Sequence, residues 1–283
     1  MSAKLYFDTN KTKWVGSIEG KIIVRSANKD YVEKKLKDNG VNLEHLFNTP
    51  KIEFSVTERF GFIAQFVGLI ASKKLNSFIL TGSGGLGKTY SVIEGLKSKG
   101  LTEETLEDDG EFVVIRGYST AKALYRTMWE NNGKIIIFDD ADSVHKDPIG
   151  ANLLKAALGS EDRRIISWGA EFSDNEELPN RFEFFGRIVF ISNLSHMDFP
   201  QALISRSMKV DLTLNTKEKV ERIVDVFGSI KANATHKAEV LEFVRKYAED
   251  ASDLNIRSAL NVLKLRKDVG ANWERLALYN FVG

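Results

Sequence analysis

Gly82-Ser83-Gly84-Gly85-Leu86-Gly87-Lys88-Thr89 follows the apolar run Ser77-Phe78-Ile79-Leu80 and precedes a stretch of helical spacing that stops near Gly100. The eight residues match the pattern G-x-x-x-x-G-K-[ST], in which a strand feeds a glycine-rich turn that opens a helix. The spacing predicts that helix over Tyr90 to Lys99. Glycines let backbone N–H groups of such a turn face inward around phosphate oxygens, and the helix N-terminus adds the positive end of its dipole. Lys88 is then placed to reach the β- and γ-phosphates of a nucleotide and the Thr89 hydroxyl to hold Mg2+. Tyr90, the next residue, is counted with this nucleotide-binding set. A turn built only for shape has no need of Lys and Thr in those two places.

Working outward, the whole chain sets wide limits. Its 283 residues, 43% of them apolar, suffice for one large α/β domain and a smaller one. The net charge of +1, from 40 basic and 39 acidic residues, gives no bulk electrostatic reason to expect nucleic acid or a membrane surface. The absence of cysteine excludes disulfides, thiolate metal sites and a cysteine nucleophile, and is compatible with a reducing compartment. No apolar run approaches the ~20 residues of a membrane helix, and Met1 to Tyr6 lacks the apolar core of a signal peptide. A cytoplasmic location with no membrane partner is the expectation. His45, His145, His196 and His236 are scattered without ligand spacing, so the only metal implied is nucleotide-bound Mg2+.

Before the glycine loop, Lys21 to Arg25 reads as a strand and Asp30 to Asp38 as an amphipathic helix closed by Asn39-Gly40. Thr49-Pro50 marks a boundary, because the residue before proline is pushed toward extended conformations. Apolar spacing predicts a helix over Val56 to Ser72. After the loop, apolar runs at Glu111 to Arg116, Lys134 to Asp139, Arg187 to Ser192 and Met208 to Leu212 alternate with helical stretches. That is the pattern of a parallel sheet covered on both faces. Beyond Asn215 only helices are expected, at Lys217 to Phe227, His236 to Ala248, Asn255 to Lys267 and Asn272 to Phe281.

Ile135-Ile136-Ile137-Phe138-Asp139-Asp140 is an apolar strand ending in two carboxylates. This is a Walker B arrangement: the strand delivers Asp139 from its C-terminal edge, where ligands of open α/β sheets collect, toward the Mg2+ shell. Asp140, one residue on, is placed to polarise water as a general base.

With both motifs placed, the chain from about residue 56 onward resembles the AAA+ ATPases. In that family the strand ending in the sensor 1 residue lies between the phosphate-loop strand and the Walker B strand, and Arg187 to Asn193 looks like it, with Asn193 orienting the attacking water. Phe199 to Arg206 is similar to the short helix that ends in the arginine finger, with Pro200 in its first turn and Arg206 reaching the γ-phosphate of a neighbouring subunit. Leu254 to Leu260 looks like the start of the sensor 2 helix, with Arg257 contacting the γ-phosphate from the same subunit. Where most motors of this family carry Glu, this chain has Asp140.

Two stretches depart from the family pattern. Tyr118 is the only nearby loop aromatic where protein-threading relatives place a pore residue, with partial core burial as its other reading. Asp147-Pro148 starts a helix that should stop near Gly159. Arg163 to Trp168 and Arg181 to Phe185, flanking an acidic loop from Glu171 to Glu177, then pair as a β-hairpin inserted before sensor 1. Arg163, Arg164 and Trp168 either touch a substrate or neighbouring subunit, or the hairpin packs on its own domain.

The resemblance implies an AAA+ P-loop α/β fold with a five-stranded parallel sheet flanked by helices, followed by a small α-helical lid. The expected divisions are a small α+β extension over 1–50, the nucleotide-binding domain over 51–214 and the lid over 215–283. It implies a Mg2+-dependent ATPase assembled as a ring or spiral, a hexamer by analogy, acting on a protein or DNA partner. Modest size is shared with phage and plasmid ATPases and loader-type members. A DNA-handling ATPase and a monomeric P-loop kinase or switch are the alternative readings.

Overall fold

In the computed structural model, residues 3–8, 13–41, 53–169 and 177–283 are described. The Thr49-Pro50 boundary and most of the acidic loop after Gly169 lie outside them. Two compact units divide the chain, residues 1–54 and 55–283.

The smaller unit is a three-stranded antiparallel sheet, β1 (Ala3–Asp8), β2 (Lys13–Ile18) and β3 (Lys21–Ser26), followed by α1 (Lys29–Asp38). Glu19 and Gly20, both at positive φ, make the two-residue turn between β2 and β3, the geometry whose twist matches a hairpin. Val32 and Leu36 of α1 form its core with Val41, and Asn28 caps the helix by accepting from the Tyr31 N–H. Of these elements, the sequence located β3 and the helix by residue.

The larger unit is built on five parallel strands in the order β10-β4-β9-β6-β5. They are β4 (Ser77–Gly82), β5 (Phe112–Arg116), β6 (Ile135–Asp139), β9 (Arg187–Ile191) and β10 (Met208–Leu212). Consecutive strand residues face opposite sides of a sheet, and two separate cores follow. Ile79, Ile136, Phe138, Ile188 and Phe190 join α4 (Ala121–Glu130) and α6 (Pro148–Ala157). Phe78, Leu80, Ile137, Val189 and Ile191 join α2 (Val56–Ala71) and α3 (Lys88–Lys97). Burial on both sides is why the inner strands β4, β6 and β9 read as continuous apolar runs, whereas the edge strand β10 alternates.

Helix α3 starts at Lys88, two residues before the expected start. Gly87, at φ 86°, ends the turn, and the Ser91 N–H already bonds its carbonyl at 2.9 Å. Between β6 and β9 come α5 (Ser143–Lys146), α6 and a hairpin of β7 (Ile165–Ser167) and β8 (Arg181–Glu183). The hairpin packs into the first core through Ile166 and Phe182. Helix α7 (Gln201–Ile204) is a single turn with Pro200 as its cap, so Pro200 is outside the first helical turn and Arg206 lies beyond the helix rather than at its end.

Four further helices complete the unit, α8 (Thr216–Ser229), α9 (Ala234–Tyr247), α10 (Ile256–Asp268) and α11 (Trp273–Val282). They have their own core, which includes Phe227 and has Phe243 packed edge-on to Phe281. Capping boxes open α8 at Asn215–Glu218 and α10 at Asn255–Ser258. No helix among the described residues is long and apolar enough to cross a membrane.

Candidate functional site

Strands β4, β6 and β9 are parallel and adjacent, so their C-terminal ends meet at one edge of the sheet. A cavity of about 290 Å3 opens there, lined by Gly84, Gly85, Gly87, Lys88, Thr89, Tyr90, Asp139, Asp140, Asn193 and Arg257 among others. Ten sequence-predicted site residues are thus brought together by the fold. Gly82, Ser83, Leu86 and Arg206 do not line the cavity.

Lys88 is 5% exposed. Its ammonium donates to the carbonyls of Gly82 (2.6 Å) and Ser83 (2.8 Å) and to Oδ1 of Asn193 (2.8 Å). Burial holds its pKa below the usual lysine value, with the charges of Asp140 and Asp139 opposing. Gly82 and Ser83 therefore serve the site through their backbone. The Leu86 side chain is fully buried in the core under α2 and α3, which leaves its backbone N–H as its only route to a ligand.

Asp139 ends β6 and accepts from the Thr89 hydroxyl at 2.7 Å through Oδ1. Its Oδ2 accepts from Arg116 Nε at 3.2 Å. Arg116 was missed by the sequence reading; the signal was its place as last residue of β5, in register with Asp139 on the neighbouring strand. Asp140 follows in the left-handed region, φ 53°, with its N–H on the Ile191 carbonyl. A non-glycine residue held there costs about 1–2 kcal/mol and turns the side chain out of the strand path. Desolvation and then the charge of Asp139 push the Asp140 carboxyl above its usual range, against Lys88 and a hydrogen bond from the Asn193 amide. Asn193 thus bonds Lys88 and lines the same cavity as Asp140. Asp142 lies one step back, accepting from Ser192 Oγ at 2.7 Å.

The C-terminal helices reach the glycine loop directly. The Ile256 N–H donates to the Gly85 carbonyl at 3.0 Å, and a Cβ on Gly85 would stand 2.6 Å from Cγ of Asn255. Arg222 of α8 lies 3.6 Å over the Phe60 ring, with Nη2 3.7 Å from where a Cβ on Gly87 would be. Neither Asn255 nor Arg222 carried a sequence signal, since each contact joins distant segments.

The remaining candidates sit elsewhere. Arg206 is exposed and donates to the Ala202 carbonyl at 2.9 Å. Tyr118 is exposed on the loop after β5. Arg163 pairs with Glu183 at 2.8 Å. Arg164 is buried, donates to the Ala157 carbonyl at 2.9 Å and lies over the Phe184 ring, and burial lowers its pKa to about 10. Trp168 packs on Tyr125. Of the three hairpin residues proposed as contacts, only Arg163 points to solvent.

The hydroxyl, carboxylate and amide oxygens make a donor set of the kind that hard cations take, and the ammonium beside them suits phosphate oxygens. Gly84 fits it too: a Cβ there would stand 3.5 Å from Asn193 Oδ1, inside the cradle.

No protein-family model matches the chain. Among curated proteins it is 28% identical over 268 residues to the uncharacterized 36.7 kDa protein in the nrdC-mobD intergenic region of Enterobacteria phage T4, covering 84% of this chain and 78% of that one. Solved structures similar to it include NtrX from Brucella abortus in complex with ADP, at 15% identity and TM-score 0.46 over 90% of this chain and 57% of that one. Drosophila ORC bound to DNA matches at 14% and 0.45, over 78% of this chain and 59% of that one. C. elegans PCH-2 matches at 14% and 0.38, over 80% and 67%.

Proposed function

We propose that this chain is an AAA+-type ATPase that binds ATP with Mg2+ at Gly82–Thr89 and hydrolyses it at an interface between copies of itself, driving work on a macromolecular partner, protein or DNA. The observation that carries this reading is the convergence of Lys88, Thr89, Asp139, Asp140 and Asn193 on one cavity at the sheet edge. The phage T4 relative supports a phage-type member of that class.

Each residue then has a task. The N–H groups of Gly84 to Lys88 and the Lys88 ammonium bind phosphate oxygens. Thr89 and Asp139 would hold Mg2+, which supplies charge neutralisation of the phosphates when bound. Asp140 orients the attacking water and accepts its proton; Asn193 holds Asp140 and the water in line. Arg257 lines the cavity from the helical side and approaches the γ-phosphate of its own subunit. Arg206, exposed and outside the cavity, acts on the nucleotide of a neighbour, stabilising charge that develops in the transition state. The helices from Thr216 onward act as the lid, tied to the loop through Gly85.

The test compares two variants. Lys88→Ala should abolish nucleotide binding by calorimetry. Arg206→Ala should keep binding but lose on the order of 10^3-fold or more in turnover, as arginine-finger losses do. Turnover of the parent should rise with protein concentration. Normal hydrolysis by Arg206→Ala at every concentration refutes the interface mechanism, and nucleotide binding by Lys88→Ala refutes the site.

A further inference from the structure

A turn at residues 105–108 presents an apolar tip between acids. The Thr105 hydroxyl accepts from the N–H groups of Glu107 and Asp108, and the Thr105 N–H donates to the Asp108 carbonyl at 2.9 Å. This short turn leaves Leu106 fully exposed. Around it, Glu103 pairs with Lys97, and Glu104 and Asp109 pair with Lys134. Glu107 and Asp108, which follow the leucine, have no cationic partner among the described residues.

The helices carry the opposite feature. A groove of about 500 Å3 between the α8–α9 connection and α10 has a floor that includes Ile230, Leu260 and Leu263, with Lys231, Lys264 and Lys267 around it. No acidic residue lines it, and none of these three ammonium groups pairs with a carboxylate among the described residues. Arg257 lines both this groove and the nucleotide cavity.

We infer that the Leu106 turn of one copy docks in this groove of the next, leucine on the apolar floor and Glu107 and Asp108 against the lysines. The inference deepens the assembly reading above and rests on it. Charge complementarity selects the occupant: a rim of unpaired cations over leucines suits an apolar tip bracketed by acids, and the same chain presents one. Knob and groove are different surfaces, so the contact is head-to-tail and repeats from copy to copy, closing into a ring or continuing as a spiral.

Sedimentation velocity of the full chain with Mg2+ and a slowly hydrolysed ATP analogue tests this, with nucleotide affinity measured alongside. E107K/D108K and K264E/K267E, all at exposed positions, should each weaken self-association at least about tenfold while nucleotide affinity stays at the parental value. The fourfold variant, in which both charges are reversed, should assemble again, and so should an equimolar mixture of the two double variants. Added salt should weaken the parental assembly, because rim charges are screened over about 10 Å at 0.1 M. Assembly of E107K/D108K at parental strength, or a fourfold variant no better than either pair, overturns the docking while leaving the ATPase reading intact. A parent that binds nucleotide yet stays monomeric at all concentrations overturns both docking and assembly. Loss of binding to a DNA oligonucleotide in K264E/K267E, with assembly unchanged, assigns the groove to nucleic acid instead.

Discussion

Replacing Gly85 by alanine should uncouple the phosphate loop from the helices, and the cost can be worked from the contacts. Gly85 has φ 71°, so any Cβ there costs about 1–2 kcal/mol of left-handed strain. The new Cβ would also meet Asn255 Cγ at 2.6 Å and Oδ1 at 2.7 Å. Asn255 is buried and held at both ends, donating to Asp253 at 2.7 Å and accepting from the Ser258 N–H at 2.9 Å. It must give up its cap on α10 to move, a loss of about 1 kcal/mol. The sum is about 2–3 kcal/mol, or a Tm lower by roughly 4–12 °C for a unit of this size. Thermal unfolding followed by circular dichroism measures it, with two controls. Gly100→Ala has the same positive φ and nothing within 4 Å of the Cβ, so it should show the strain alone. Asn255→Ala removes the obstructing atoms and the cap together, so Gly85→Ala/Asn255→Ala should fall short of the summed single losses by about 1 kcal/mol. Additive losses refute the collision.

His145 is buried with Nδ1 unpartnered, stacked on Phe199, and burial lowers its pKa despite nearby Asp142. A depressed base stabilises the fold above its unfolded value near 6.5 and loses that contribution as pH falls; the Tm of the parent should drop between pH 7 and 5 more than that of His145→Phe. Arg164→Ala leaves the Ala157 carbonyl unpaired and a void over Phe184, and should cost about 2–4 kcal/mol in denaturant unfolding. Arg116→Ala removes a half-exposed partner of Asp139 and should change stability by under about 1 kcal/mol. Its effect should appear instead as a lower Mg2+ requirement for nucleotide turnover, because Asp139 Oδ2 is released.

Much of the sheet was legible because burial on both faces leaves unbroken apolar runs. Ser77 to Leu80 and Ile135 to Asp139 are strands where the runs say so, and Arg187 to Ile191 lies between them in the sheet. The hairpin was legible in the same way, from two β-rich segments flanking an acidic stretch. Its function was not: Arg164 and Trp168 are polar or amphipathic by type, and only the packing of Phe182 and Phe184 turns them inward.

By itself the sequence determined the elements and the chemistry available at them, since periodicity, glycines and caps act over a few residues. Gly82 to Thr89 had to be a strand-to-helix turn, and Asp139 had to end a buried strand. Tertiary structure alone decided which of these groups meet. Parallel register sets Arg116 against Asp139, and β9 between β4 and β6 brings Asn193 onto Lys88 and into one cavity with Asp140. Close backbone approach at Gly85 joins α10 to the loop. Such contacts depend on how distant segments close on one another, which no local pattern encodes.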